Sequence, residues 1–369
     1  MAINCGIVGL PNVGKSTIFS ALTSAPAEAA NYPFCTINPN VGIVDLPDSR
    51  LDFLVKTFEP KKRVPATVEF VDIAGLVKGA SKGEGLGNQF LAHIREVGVI
   101  AHVVRCFENP DIIHVSNKID PVDDIETINM ELAFADLDTV EKRIEKAQRS
   151  ARVMGKDEQK KATVVLGALN KIKPLLENGQ LASNADLTEE EKAAIYDCHL
   201  ITMKPMMYVC NVDEEGMEKG SPYVEQVKKI ATEQGSDVVV ICGKFEADLA
   251  EMESEEERLE FLAEIGLKES GLAILARAAY KLMGLATFFT AGSDECRAWT
   301  IHTGDTAPKA AGVIHTDFER GFIKAEVYHY NDLVEYGSEA EIKAAGRYRV
   351  EGKEYIVNDG DIIFFKFNV

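Results

Sequence analysis

Apolar residues in the first 127 positions gather into short runs at 3–8, 41–44, 67–71 and 99–106, with a helix-like stretch at 87–97 before the last of them. Such alternation predicts an α/β domain with a doubly wound, mostly parallel sheet. The period then changes. From Asn129 the apolar positions Leu137, Val140, Ile144, Ala147 and Ala151 follow a 3,4 repeat, and past a turn at Gly155 so do Ala162, Val165, Leu169, Ile172 and Leu176. Two such helices joined by a short polar turn read either as an inserted α-helical antiparallel coiled-coil hairpin or as ordinary surface helices packed on a core. Strand-like runs return at 206–210 and 238–242, followed by a helical stretch at 272–283. The expected organisation is one α/β domain built from 1–127 and 200–283, with a helical insertion at 128–199. From Gly284 onward, short runs at 299–303, 322–327, 348–350 and 362–367 alternate with Gly and Asp turns. They predict a separate α+β domain at 284–369 with a mixed sheet.

Composition narrows the function classes. Hydrophobic residues make up 46% of the 369 positions and charged residues 27%, enough for real cores and too apolar for wholesale disorder. A net charge of -19 excludes a protein that coats nucleic acid with a uniformly basic surface, so contact with an anionic polymer needs a local patch. One patch exists. Between 142 and 161 the hairpin carries Lys142, Arg143, Lys146, Arg149, Arg152, Lys156, Lys160 and Lys161 against three acids, whereas 246–260 holds eight acids and only Arg258. The basic run is either a solvated helical face or a phosphate-binding finger for rRNA or tRNA. The seven cysteines form no CxxC pair and several lie in apolar runs, which predicts buried thiols in a reducing compartment. No window approaches the ~20 apolar residues of a spanning helix, so a cytoplasmic protein without membrane contact is expected.

The strongest chemical signal is Gly9-Leu10-Pro11-Asn12-Val13-Gly14-Lys15-Ser16-Thr17, which follows the run 3–8 and precedes a helical pattern. This is GxxxxGK[ST] between strand and helix, where backbone N–H groups converge on a β-phosphate. Lys15 would reach the β/γ oxygens, and the Ser16 hydroxyl would ligate Mg²⁺. Asp72, ending the run 67–71, suits the second, water-mediated metal anchor, and Gly75 is placed to sense a γ-phosphate. Between these segments Thr36, in Asn31-Tyr32-Pro33-Phe34-Cys35-Thr36, can complete the metal shell. The glycine-rich stretch at 79–87 suits an order–disorder switch. Leu76 occupies the place where many G proteins carry a water-orienting glutamine.

Two segments compete as base readers. Asn117-Lys118-Ile119-Asp120 spells the guanine-reading NKxD pattern, but only about ten residues separate it from the run 99–106, too few for a parallel crossover. A surface turn is expected there. The alternative is Asn211-Val212-Asp213-Glu214, at the end of a buried run, with Glu in place of the Asp that accepts from guanine. Asn211 would then bond the N6/N7 edge of adenine, which permits ATP.

At these residues the chain resembles the Obg-like ATPase (YchF) family of P-loop proteins. The resemblance runs along the whole chain: the phosphate loop, the 32–36 loop, Asp72–Gly75 with its glycine-rich continuation, the hairpin, Asn211–Glu214, and a C-terminal segment similar to a β-grasp TGS domain through His315-Thr316-Asp317-Phe318 and 356–367. It implies a Mg²⁺-dependent ATPase that binds ATP better than GTP and associates with ribosomes. The departures are Asn117, where the family more often has glycine, and Cys242-Gly243-Lys244, where related G proteins carry Ser-Ala. Asn12 stands where potassium-stimulated relatives place a K⁺ ligand, or simply shapes the loop. His114 either orients water in place of the missing glutamine or is structural. The candidate catalytic residues are thus Lys15, Thr36, Gly75 and His114. Nucleotide contacts are expected from residues 12–17, Asn211, Val212 and Glu214, and metal contacts from Ser16, Thr36 and Asp72. Expected partners are ATP, more weakly GTP, and the ribosome through the hairpin tip and C-terminal domain, with a monomer favoured. A GTPase of the Obg type and an RNA-binding adaptor with incidental hydrolysis remain as alternatives.

Overall fold

Every residue of the run 99–105 is buried, and such a strand must lie inside a sheet covered on both faces. The computed structural model describes residues 4–24, 41–73, 86–114, 118–153, 155–252 and 254–368. Its strands are β1 (Asn4–Val8), β2 (Val41–Asp45), β3 (Lys62–Val64), β4 (Thr67–Asp72), β5 (Val99–Arg105), β6 (Met206–Asn211) and β7 (Asp237–Ile241). They continue with β8 (Leu285–Thr290), β9 (Glu295–His302), β10 (Phe322–His329), β11 (Arg349–Glu351) and β12 (Asp361–Phe367). The first sheet has the order β2-β4-β1-β5-β6-β7, and β4, β1, β5, β6 and β7 pair in parallel. The order reverses at β1, the switch point at whose carboxyl end α/β sheets bind ligands. Helices α1 (Lys15–Ser24), α2 (Ser49–Phe58) and α3 (Leu86–Glu96) fall between the early strands. The fold class is α/β with a mostly parallel sheet, as expected.

Helix α4 runs unbroken for 33 residues, Pro121–Val153, and α5 spans Lys156–Glu177. The apolar repeat begins earlier than 129, because Ile125 and Ile128 are already buried and Pro121 suits the first helical position, where no N–H is needed. Val140, Ala147, Val165, Leu169, Ile172 and Leu176 share one core, extended at its base by Ala182, Leu187, Ile195 and Leu200. The ion pair Lys173–Glu141, 2.8 Å, fixes the antiparallel register across the hairpin. At the base Asp136, fully buried on α4, accepts from Ile201 N at 3.0 Å, Thr202 N at 2.7 Å and Thr202 Oγ1 at 2.6 Å.

The described residues divide into two compact units, 4–24 with 41–42 and 69–275, and 43–68 with 276–368. The second holds a mixed sheet ordered β11-β10-β12-β8-β9-β3, with α2 against β9. Residues 43–68, which the sequence reading counts with the first domain, are held in this unit by specific contacts. Arg50 pairs with Asp359 at 2.6 Å, Phe53 meets Tyr330 edge-on at 5.5 Å, and β3 pairs with β9. Strand β8 lies in a run that the sequence reading passed over. Six described cysteines are free and buried, and among the described residues no helix is long and apolar enough to cross a membrane.

Asp136→Ala leaves three donors without their buried acceptor. It should lower unfolding free energy by about 3 kcal/mol, read as a shifted denaturant midpoint with m unchanged.

Candidate nucleotide site

The phosphate loop is shaped by backbone requirements. A Cβ at Gly9 would lie 2.8 Å from Val103 O, and Gly14 has φ +91. At Gly14 any side chain would also clash, since a Cβ would come 2.0 Å from Asn211 Nδ2. The loop turns through Asn12, also at positive φ, and delivers Gly14 O to the first-turn bond from Ile18 N, 3.0 Å. Helix α1 therefore points its N-terminus at the loop, the arrangement that holds phosphate. Lys15 is 8% exposed and its ammonium donates to Asp72, which β4 brings beside β1 through the register Ile7↔Asp72.

Asn211 ties this loop to the far side of the site. Its Nδ2 donates to Val13 O at 2.9 Å and its Oδ1 accepts from Gly243 N at 2.9 Å, and the residue is 4% exposed. One Nδ2 hydrogen remains, which suits the N7 acceptor common to both purines. Glu214 Oε1 accepts from Lys244 Nζ at 2.9 Å. A cavity of about 1030 Å³ is lined by loop residues Asn12, Gly14, Lys15, Ser16 and Thr17, by Asp72, and by Asn211, Val212, Glu214 and Lys244. Val13 is 1% exposed and contributes its backbone.

The third wall comes from the segment after β5. Arg105, 1% exposed, donates to Phe107 O at 3.2 Å, Asn109 O at 3.1 Å and Ile112 O at 3.0 Å. Phe107, Asn109 and Ile112 line the cavity. Asn12 Nδ2 adds a bond to Ile113 O, 3.0 Å, so the segment is fastened to the phosphate loop.

Two family models match the chain: 50S ribosome-binding GTPase over residues 4–171, and YchF-GTPase_C, described as a protein of unknown function (DUF933), over 285–368. Proteins named Ribosome-binding ATPase YchF from Escherichia coli O157:H7 and Haemophilus influenzae are 57% and 55% identical over 369 residues, all of both chains. The Bacillus subtilis protein of that name is 53% identical over 371 residues with the same complete coverage. The chain belongs to the YchF family. A solved structure titled as the Schizosaccharomyces pombe YchF GTPase superposes with a TM-score of 0.89 at 40% identity, covering 99% of this chain and 97% of that one.

Within this YchF chain the predicted residues separate into groups. Lys15, Ser16, Thr17, Asp72, Asn12, Asn211, Val212 and Glu214 line one cavity, whereas Thr36, Gly75 and Leu76 lie outside the described residues. His114 does not line the cavity with them. Its Nε2 is 3.0 Å from Asp124 Oδ2, both side chains are 3% exposed, and it lines an adjoining cavity of about 660 Å³ with Arg105 and Tyr223, which shares Asn109 and Ile112 with the first. Burial raises the Asp124 carboxyl and the charge of the His114 ring opposes that rise. The NKxD look-alike is no strand end: Asp120 accepts from Asp123 N in the first turn of α4 and pairs with Lys118 at 2.7 Å, while Asn117 lies outside the described residues. That pairing holds the Asp120 carboxyl below its ordinary value. Sequence reading missed Arg105, whose only signal is a cation at the end of an apolar run, and the Glu214–Lys244 pair, which joins residues 30 apart.

Gly14→Ala combines an unfavourable φ with a clash against Asn211. It should weaken nucleotide binding by about tenfold or more, measured by titration with a fluorescent nucleotide on protein shown to be folded.

Proposed function

We propose that this chain is a Mg²⁺-dependent P-loop ATPase, preferring ATP to GTP, that acts as a nucleotide-dependent switch on the ribosome in the cytoplasm. The observation that carries it is the cavity of about 1030 Å³ that Lys15, Ser16 and Asp72 line together with Asn211 and Glu214. Glu214 stands three residues after Asn211, where G proteins place the Asp that accepts from guanine. The names of the relatives support a nucleotide hydrolase and a ribosomal partner, although they divide between ATPase and GTPase.

The donors on this wall suit a hard cation: the exposed Ser16 hydroxyl and the half-buried Asp72 carboxylate face one cavity. These two, with Thr36, would hold Mg²⁺, which supplies charge neutralisation on the phosphates. Lys15 binds the β/γ oxygens once it exchanges Asp72 for phosphate, the helix N-terminus orients them, and Asn12 is the K⁺ candidate. Gly75 would respond to the γ-phosphate. His114 is the candidate for orienting the attacking water, which requires it to leave Asp124. We assign residues 4–24, 41–42, 69–127 and 200–275 to nucleotide binding, 128–199 to the hairpin, and 276–368 with 43–68 to the unit that carries the TGS-like segment. The hairpin tip and that domain are the expected ribosomal contacts, with tRNA or rRNA phosphates as the ligand chemistry and a monomer as the working form.

Competition of labelled ATP by unlabelled GTP tests the base assignment: GTP should be at least about tenfold weaker, and equal competition would point instead to an Obg-type GTPase. Lys15→Ala should abolish turnover, and ribosomes should accelerate the native protein; slow, unresponsive hydrolysis would favour the adaptor. The exposed Arg149 and Arg152 test the tip. Reversing both to Glu should weaken ribosome binding by about tenfold at matched salt and flatten its salt dependence by about two charges.

A further inference from the structure

The His114–Asp124 pair lies where three elements meet, and its position is not explained by the nucleotide cavity alone. His114 ends the segment that Arg105 and Asn12 fasten to β5 and to the phosphate loop. Its partner belongs to α4, in the first turn of the helix whose far end carries Arg149 and Arg152. The pair is one side-chain link between the cavity wall and that helix, and at 3% exposure on both sides it is shielded from water. Opening a buried hydrogen-bonded pair of this kind leaves both groups unmet unless each finds another partner.

We propose that Asp124 is a positioning residue that latches His114 out of the nucleotide cavity, so that hydrolysis waits on the opening of this pair. The inference rests on the reading of His114 as the water-orienting residue. In the closed arrangement Nε2 is bonded to Asp124, and His114 lines the adjoining cavity beside Arg105 and Tyr223. Release is a rotation of His114 toward the phosphates in which the hydrogen bond to Asp124 opens. Because Asp124 is rigidly part of α4, a load applied at the basic tip acts on the latch through one continuous helix. Linkage makes the coupling reciprocal: a ligand that favours the open pair at one end favours it at the other.

The test is steady-state ATP turnover by the full chain without ribosomes, comparing the native protein with Asp124→Ala, His114→Ala and the double variant. The latch predicts that Asp124→Ala raises kcat about tenfold, the scale of one lost charge-assisted hydrogen bond, with KM little changed, and that His114→Ala removes the gain in the double variant. A merely structural role for Asp124 would lower kcat or leave it unchanged, and either result overturns the latch. If Asp124→Ala does not fold, Asp124→Asn keeps the shape with a weaker bond and should give a smaller rise in the same direction; no rise there also overturns it. Lys15→Ala separates the two levels of failure. Loss of turnover in Lys15→Ala with no gain in Asp124→Ala removes the latch and leaves the ATPase, whereas turnover that survives Lys15→Ala removes the ATPase reading as well.

Discussion

The site depends on one side chain that ties two loops together. Asn211 ends β6 and spends its amide on Val13 O of the phosphate loop and on Gly243 N of the loop after β7. Both partners are backbone groups, so the amide fixes the course of two loops rather than the rotamers of two side chains. Its burial makes the arrangement demanding, since an unmet polar group there would cost about 1–3 kcal/mol. Gly14 completes the constraint from the other side, because any Cβ would collide with that amide. The phosphate loop, the end of β6 and the loop after β7 are therefore held as one unit.

Around this centre the chain adds parts that the catalytic wall does not need. Arg105 turns a strand end into a scaffold for 107–112, and the hairpin grows from the next helix, anchored at Asp136. The overall charge of -19 and the exposed basic tip then have a common reading. An acidic body discourages indiscriminate contact with nucleic acid, while a long helix carries a small set of cations away from it. Placing the first turn of that helix against His114 gives the fold a route between tip and cavity that consists of one rigid element and one buried pair.

The legible parts of the sequence were those whose meaning is local. The phosphate loop is contiguous, Asp72 ends an apolar run, and Asn211 and Glu214 stand three apart at the end of another, so spacing alone carries them. The rejection of Asn117–Asp120 also rested on a local argument, the length of a crossover, and Asp120 is found at the start of α4. Contacts far apart along the chain were silent. Nothing in the run around Arg50 announces Asp359, and nothing in the sequence between His114 and Asp124 announces that the two meet. Glu214 and Lys244 meet only because β6 and β7 are neighbours. Thr36 and Gly75 remain expectations from sequence.

The most direct measurement is a crystal structure of the protein with Mg²⁺ and a non-hydrolysable ATP analogue. The account predicts phosphates on residues 9–17, adenine against Asn211 and Glu214, Lys15 moved from Asp72 to phosphate, and Asn211 still bonded to Val13 and Gly243. A base bound away from residues 211–214, or an Asn211 amide turned out of the bridge, would contradict it.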